Sequence, residues 1–445
     1  ESWQARELGL RAESQNRAGG VGVDVEPAPS PSLSDDVVVD DGSVGVYLHL
    51  PFCDRICPYC DFAVLAARPL SPDVEARYVA DLLHELAARR DDFAGRRLAT
   101  IYFGGGTPSL FQPESVATLI GALRDAFPSS SASPSSPATG GTEEITLELN
   151  PSTTEAARLP GFREAGIDRL SIGVQSFDDE QLKKLGRAHR ADRIDSTLAA
   201  AREAGFDNVS LDLIFAGPGQ NAAALDRDLE RLIAFGPEHV STYELTYEPA
   251  TPFGRALASG QMEACDEDDA AEMIGQVEAR LTIAGYERYE ISSYARPGRR
   301  ARHNARYWQR APVLGLGMGA HSTEARSAVH PHGARRANPR TLEAWQSALV
   351  QDAAQAGEEE SFSVEVARGE AVFLALRQRE GLQASVFEKE FGGTPRVFFG
   401  NEIDGLLGRG WLEENAVGDL RLSSEGHLLA DSVAAEFVAD AGEQD

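Results

Sequence analysis

The sequence predicts an α/β protein built on a partial (β/α) TIM-like barrel with a winged-helix-like unit near its carboxyl end. Three observations carry that reading. Six short runs of β-branched and apolar residues alternate with segments whose apolar residues recur at three-and-four spacing, the pattern of parallel βαβ units. The Cys-rich, Gly-rich and polar insertions follow the strand runs rather than the helical ones, and a barrel gathers its function at that end. Past about residue 360 the alternation gives way to helix–turn–helix and hairpin patterns. A full barrel or a doubly wound sheet satisfies the first two observations as well.

Residues 1–42 mix Gly, Pro, Ser and Asp without periodicity and read as a disordered extension. The barrel is expected over 43–312. Its first strand, VGVYLHL (44–50), leads into the loop HLPFCDRICPYCDF (49–62) and the helix DVEARYVADLLHELAAR (73–89). LATIYF (98–103) follows, with GGGTP (104–108) at its end, then the helix PESVATLIGALRDAF (113–127) and a long surface loop, PSSSASPSSPATGG (128–141). EITLEL (144–149) ends in NP (150–151), and TEAARLPGFREAG (154–166) is helical. DRLSIGV (168–174) ends in QSF (175–177), and RIDSTLAAAREAG (193–205) is helical. NVSLDLIF (208–215) ends in AGPGQ (216–220), then NAAALDRDLERLIAFG (221–236) precedes HVSTYEL (239–245). Glycines near several helix ends supply the left-handed cap residue. Residues 313–360 are expected to be a connector, 361–437 the winged-helix-like unit and 438–445 an acidic tail.

At 445 residues the chain suggests two or three folded units. No apolar run approaches the roughly 20 residues of a membrane span, so no transmembrane segment is expected. The opening residues, ESWQARELGLRAESQ, lack the apolar stretch of a secretory signal, and the chain starts at Glu1 rather than a methionine. Three of the four cysteines fall within eight positions. That is no disulfide framework and points to a reducing, cytoplasmic setting. A net charge of −28 argues against nonspecific nucleic-acid binding. The segment RPGRRARHNARYWQR (296–310) stands out, with six arginines and no acid.

Cys53, Cys57 and Cys60 form C-x3-C-x2-C on a loop. Thiolates bind zinc or iron–sulfur clusters. A structural zinc site wants four protein ligands, and His49 is the nearest further candidate, with Cys265 distant in an acidic segment. A zinc-stabilised binding module therefore stays open as a reading. A 4Fe–4S cluster held by three cysteines instead leaves one iron free for a small chelating ligand.

That spacing, with Tyr59 just before the last cysteine, resembles the radical S-adenosylmethionine (SAM) superfamily. The resemblance implies a 4Fe–4S cluster, SAM chelating the open iron, an electron donor for the cluster, and a methionine-side glycine stretch matching FGGGTP. VYLHLPFC, GVQSFDDEQLKKLGRAH and LDLIFAGPGQ narrow it, over residues 44–437, to the branch holding oxygen-independent coproporphyrinogen III dehydrogenases (HemN-like) and HemW-type heme chaperones. The resemblance implies that Tyr47, Gly105, Glu148 and His321 contact the cluster-bound SAM. It puts Tyr59, Gly106, Thr107, Gln175, Arg187, Asp212 and Thr246 where the dehydrogenase holds a second SAM. Read as side chains, Glu148 and Asp212 can accept from ribose hydroxyls or an ammonium, and Arg187 can grip a carboxylate with two parallel bonds.

Two features divide the branch. The dehydrogenase carries a further cysteine where this chain has Phe62, and HNARYW (303–308) is similar to the H-N-x-x-Y-W signature of the heme chaperones. Both imply a protein that binds heme and passes it to a hemoprotein acceptor; whether it is an enzyme is left open. His303 is a candidate iron ligand, Tyr307 and Trp308 a flat apolar surface, and the arginines partners for propionates. The alternative is that His303 and the aromatics seal the barrel. GLGMGAHS (315–322) is expected to return the chain to the SAM site at His321, while His49, His189 and His239 read as structural. The rival function is oxidative decarboxylation of coproporphyrinogen III in porphyrin biosynthesis.

Overall fold

The computed structural model describes residues 41–128, 143–324 and 326–438. The expected amino-terminal extension, the Ser-rich loop and the acidic tail lie almost wholly outside the described residues. The barrel begins with β1 (Ser43–Leu50), and the short β2 (Phe52–Cys53) and β3 (Leu65–Ala66) pair with each other in the loop that follows. β4 (Arg97–Gly105), β5 (Glu144–Leu149), β6 (Arg169–Gln175), β7 (Val209–Phe215) and β8 (His239–Glu244) then add one after another, each parallel to the last. Helices Pro72–Arg89, Pro113–Ala126, Thr153–Ala165, Ala191–Glu203 and Ala222–Phe235 make the crossovers. Ser71, Ser152 and Asn221 cap three of them with side-chain bonds, and Gly166 and Gly236 end two in the left-handed conformation.

The sheet continues beyond these six strands in both directions. β9 (Glu287–Arg288) and β10 (Ser293–Ala295) add antiparallel beyond β8. On the far side of β1, β11 (Val313–Leu316) lies parallel to it, followed by antiparallel β12 (His321–Glu324), β13 (Ala334–Ala337) and β14 (Glu358–Ser361). The result is one open sheet of twelve strands, so the barrel is partial, and six strands add in order without the reversal of a doubly wound sheet. Residues 313–360, expected as a connector, supply four of its strands. HSTE, ARRA and EEES are too short and too charged for periodicity to reveal them.

Alternation along the six strands explains why a lumen forms. Val44, Val46, Leu48, Ile101, Phe103, Ile145, Leu147, Leu170, Ile172, Leu211 and Leu213 are fully buried and pack outward under the helices. Each such side chain contributes roughly 1.5–3 kcal/mol. The opposite parity carries Tyr47, His49, Thr100, Tyr102, Thr146, Glu148, Arg169, Ser171, Ser210, Asp212, His239 and Ser241. An inward face of this polarity is unlike the packed aliphatic interior of a stability core.

Beyond residue 361 the helices Val364–Leu376, Ala384–Phe391 and Pro395–Gly408 precede a hairpin of β15 (Leu412–Glu414) and β16 (Leu420–Leu422) and two short helices. Val372, Leu376, Phe387, Ile403, Leu406, Leu420 and Val433 form a core of their own. This unit docks on the barrel base through Arg310, which donates to Glu370 at 2.9 Å and Glu390 at 2.6 Å. Among the described residues no helix is long and apolar enough to cross a membrane.

Candidate functional site

The cysteine loop sits at the carboxyl end of β1, stitched to the glycine stretch after β4. Gly106 N–H donates to Leu50 O at 2.9 Å and Thr107 N–H to Phe52 O at 2.8 Å. A Cβ on Gly106 would stand 2.6 Å from the Pro51 carbonyl carbon, and one on Gly105 (φ +112°) 2.7 Å from the His49 ring. These glycines make room for the protein's own loop and imidazole, a use that the sequence motif did not reveal. All three loop cysteines are free thiols. Thr107 Oγ1 donates to Cys53 Sγ at 3.7 Å, and Arg187 Nη1 lies 3.5 Å from Cys57 Sγ and 3.4 Å from the Tyr59 hydroxyl. Burial pushes the Cys53 thiol up to about 11, against the opposing Thr107 bond.

Behind the loop the lumen holds a second group. The Tyr47 and Tyr102 rings stack at 6.0 Å, the Tyr47 hydroxyl meets His49 Nδ1 at 3.1 Å, and Tyr102 donates to Glu148 Oε1 at 2.7 Å. Gly105 N–H donates to the other Glu148 oxygen at 3.2 Å. Burial raises the Glu148 carboxyl to about 7, the Tyr102 bond pulling it back and Asp212 adding to the rise. Asp212 accepts from Ser171 at 3.0 Å, and burial raises its carboxyl too. Two guanidinium nitrogens in this region, Nε of Arg169 and of Arg187, are buried without a hydrogen-bond partner among the described residues. Such atoms suit a polar ligand.

Cys53, Cys57, Tyr59, Thr107 and Arg187 therefore come together, as do Tyr47, Gly105, Glu148 and Asp212 beneath them. Gln175 (φ +68°) closes β6, its amide over Gly173. His321 opens β12, its imidazole pushed down to about 4 by burial and by Arg335, Arg340 and His49. Thr246 is exposed in the segment after β8.

The segment 303–308 is at the other end of the barrel. His303 is 1% exposed, with Nδ1 2.8 Å from Thr100 Oγ1, Nε2 3.2 Å from the Tyr307 hydroxyl, and its backbone N–H on Glu144. Burial lowers its imidazole to about 3, helped by Arg306 and Arg169. Trp308 lies under Arg377, 5.0 Å from the ring centre. Arg306 and Arg310 are committed to Ser43, Pro312, Glu370 and Glu390 rather than open to propionates. His239 spans Ser210 and Tyr289 at 2.8 Å each, and His189 meets Val174 O.

The donor set fits a cluster and a small zwitterion. Three sulfurs on one loop suit a soft metal centre. Among the described residues no three His, Cys, Asp or Glu side chains are gathered for a single ion; a cube, being larger, spaces its ligands wider. Tyr102 and Asn150 were missed as site residues. Tyr102 was legible in principle, because it faces Tyr47 directly across β1 and β4.

Residues 47–232 match the Radical SAM superfamily. The heme chaperone HemW of Bacillus subtilis is 30% identical over 395 residues, covering 88% of this chain and 99% of its own. The chain belongs to the HemW family. HemW of Escherichia coli is 38% identical over 278 residues, 62% of this chain and 69% of its own. A solved structure of E. coli coproporphyrinogen III oxidase (HemN), a radical SAM enzyme, aligns with a TM-score of 0.74 over 89% of this chain and 90% of that one. At 21% identity this likeness is one of fold. Membership of the HemW family implies a 4Fe–4S cluster and SAM.

Proposed function

We propose that this chain is a cytoplasmic heme chaperone. In this reading Cys53, Cys57 and Cys60 hold a 4Fe–4S cluster, and SAM chelates its open iron. Heme is carried for delivery to a hemoprotein acceptor, with a separate protein supplying electrons to the cluster. The observation that carries the reading is the correspondence with a heme chaperone along 99% of that protein's length. Phe62, 70% exposed on the cysteine loop, supports it against the dehydrogenase alternative, since no fourth thiol stands there.

When bound, the cluster and SAM supply a redox centre with a chelated small ligand. The chain's own residues then have separable tasks. Glu148 receives the cationic part of SAM, and Tyr102 and the Gly105 N–H hold that carboxylate in place. Tyr47 and His321 line the same side. Tyr59, Gly106, Gln175, Asp212 and Thr246 are the further contacts proposed for a second SAM. Arg187 and Thr107 also face the loop sulfurs.

His303, Tyr307 and Trp308 are the heme candidates. Burial keeps His303 neutral, the form that ligates iron. Ligation through Nε2 requires the Tyr307 hydroxyl to move away and open the barrel base.

The test is anaerobic reconstitution, assay of iron and sulfide, and heme titration by absorption with and without SAM, followed by mixing with a heme-free hemoprotein. Heme uptake and transfer are expected. Formation of protoporphyrinogen IX from coproporphyrinogen III, or no heme uptake, overturns the reading. A weakened, spectrally altered heme complex in His303→Ala identifies the ligand; an unchanged one assigns the residue to packing.

A further inference from the structure

Between the two loop cysteines that receive side-chain hydrogen bonds, Cys53 and Cys57, lies a residue with no role so far. Asn150 follows β5 at the barrel mouth, and its backbone N–H is held by Glu155 Oε1 at 3.2 Å. Its side-chain Nδ2 donates to Thr107 Oγ1 at 2.9 Å, and its Oδ1 accepts from Arg187 Nη2. Thr107 in turn donates to Cys53 Sγ, and the same guanidinium reaches Cys57 Sγ through Nη1. Arg187 Nη2 is fixed further by Gly173 O at 3.0 Å. Gly173 leaves room for this approach, since a Cβ there would stand 2.9 Å from Gln175 Nε2, 3.0 Å from Asn150 Oδ1 and 3.2 Å from Arg187 Nη2.

The direction of each bond follows from the donors present. Arginine only donates, so the amide must turn its oxygen toward Arg187 and its NH2 toward Thr107. A threonine hydroxyl has one proton. With its oxygen already accepting from Asn150, that proton is free to point at Cys53. We propose that Asn150 is a positioning residue that aims two donors, the Thr107 hydroxyl and the Arg187 guanidinium, at the sulfurs of Cys53 and Cys57. This rests on the reading that these cysteines hold the cluster. Hydrogen bonds to cluster sulfurs stabilise the more negative, reduced state and so raise its reduction potential. Asn150 thereby sets the potential without touching a ligand atom.

Asn150→Asp removes the donor and adds a charge that itself lowers the midpoint, so the uncharged Asn150→Ala, alone and in a Thr107→Val background, is the discriminating substitution. Aspartate cannot donate to Thr107, so the hydroxyl turns toward the new carboxylate and leaves Cys53, while the added charge draws Arg187 from Cys57. In the anaerobically reconstituted full chain, a redox titration followed by electron paramagnetic resonance should give a more negative midpoint for Asn150→Asp. Iron and sulfide content should match the wild type. Asn150→Ala should shift the midpoint the same way but less, and its shift should shrink in a Thr107→Val background. Should Asn150→Ala lose its fold by circular dichroism or its cluster, Thr107→Val removes one donor alone and must still lower the midpoint. Failure of the wild type to take up iron and sulfide overturns the cluster reading and this proposal with it. Loaded Asn150→Ala at the wild-type midpoint, or with a shift undiminished in the Thr107→Val background, overturns this proposal alone.

Discussion

Tyr102 and Glu148 meet on neighbouring strands facing the lumen, the phenol donating to Oε1 at 2.7 Å, and the outward residues of those strands are buried apolar side chains. The carboxyl is raised to about 7 chiefly by burial, and the Tyr102 bond opposes that rise. A cationic ligand binds the ionised form better, so SAM affinity should increase as pH rises through about 7. Glu148→Gln should abolish that dependence and weaken binding by roughly tenfold, the ~1.4 kcal/mol of a lost charge-assisted bond. Tyr102→Phe should move the midpoint of the dependence to higher pH. Calorimetric titration between pH 6 and pH 8.5 checks both.

The same carboxyl has a consequence for folding. Its native value lies above the unfolded one, near 4.3, so the native state binds the proton more tightly. The stability this contributes is fully present below about pH 4.3 and is lost as pH rises through about 7. Glu85 acts likewise. It is raised to about 7 by burial and holds Gly317 N–H and Asn338. Urea unfolding of the metal-free protein should show Glu148→Gln with a flatter stability profile between pH 4.5 and 7 than the wild type.

Gly106 and Gly121 should respond oppositely to alanine. At Gly106 the new methyl meets the Pro51 and Phe52 backbone at 2.6–2.7 Å, which displaces the strand leading to Cys53. Gly106→Ala should lose most cluster loading, read as iron per chain. Gly121 lies inside the helix Pro113–Ala126 with nothing within 4 Å. Gly121→Ala should stabilise by about 0.5–1 kcal/mol with loading unchanged.

Arg310 is 9% exposed in its side chain and paired with Glu370 and Glu390. Removing one partner of a buried ion pair costs about 3–5 kcal/mol. Here Arg335 and Arg326 still serve the two glutamates, at 2.5 and 2.6 Å, so Arg310→Ala should fall near the lower bound. Faster limited proteolysis around residue 361 and a lower thermal midpoint check it.

Phe62 should be neutral for folding. At 70% exposure, Phe62→Ser should change stability by less than about 0.5 kcal/mol in denaturant unfolding.

The strands were readable because each carries a period-two pattern with one aliphatic face, and the expected runs match β1 and β4–β8 to within two residues. The cysteine loop was readable because its ligand types and spacing are local. β11–β14 were not. Their four-residue runs owe their conformation to pairing with β1 and with one another, which no local pattern records. Nor was the arginine-rich segment. Its arginines read as partners for propionates, yet Arg306 is 7% exposed and bonded to Ser43 and Pro312, and Arg299 and Arg300, though more open, pair with Asp207 and Glu380.

By itself the chain's order of residues determined the barrel, the position of the thiols after its first strand, and the polar parity of the lumen. These are consequences of short-range geometry: strand pleat, helix period and loop spacing. Only tertiary structure decided that Asn150 stands between Thr107 and Arg187, that His303 lies at the base with both nitrogens bonded, and that Arg310 ties on the last unit. Apart from the His303–Tyr307 bond within one helix, each of these depends on the distance and direction between groups separated by dozens to hundreds of residues, and those are set when the open sheet curls and its crossovers pack.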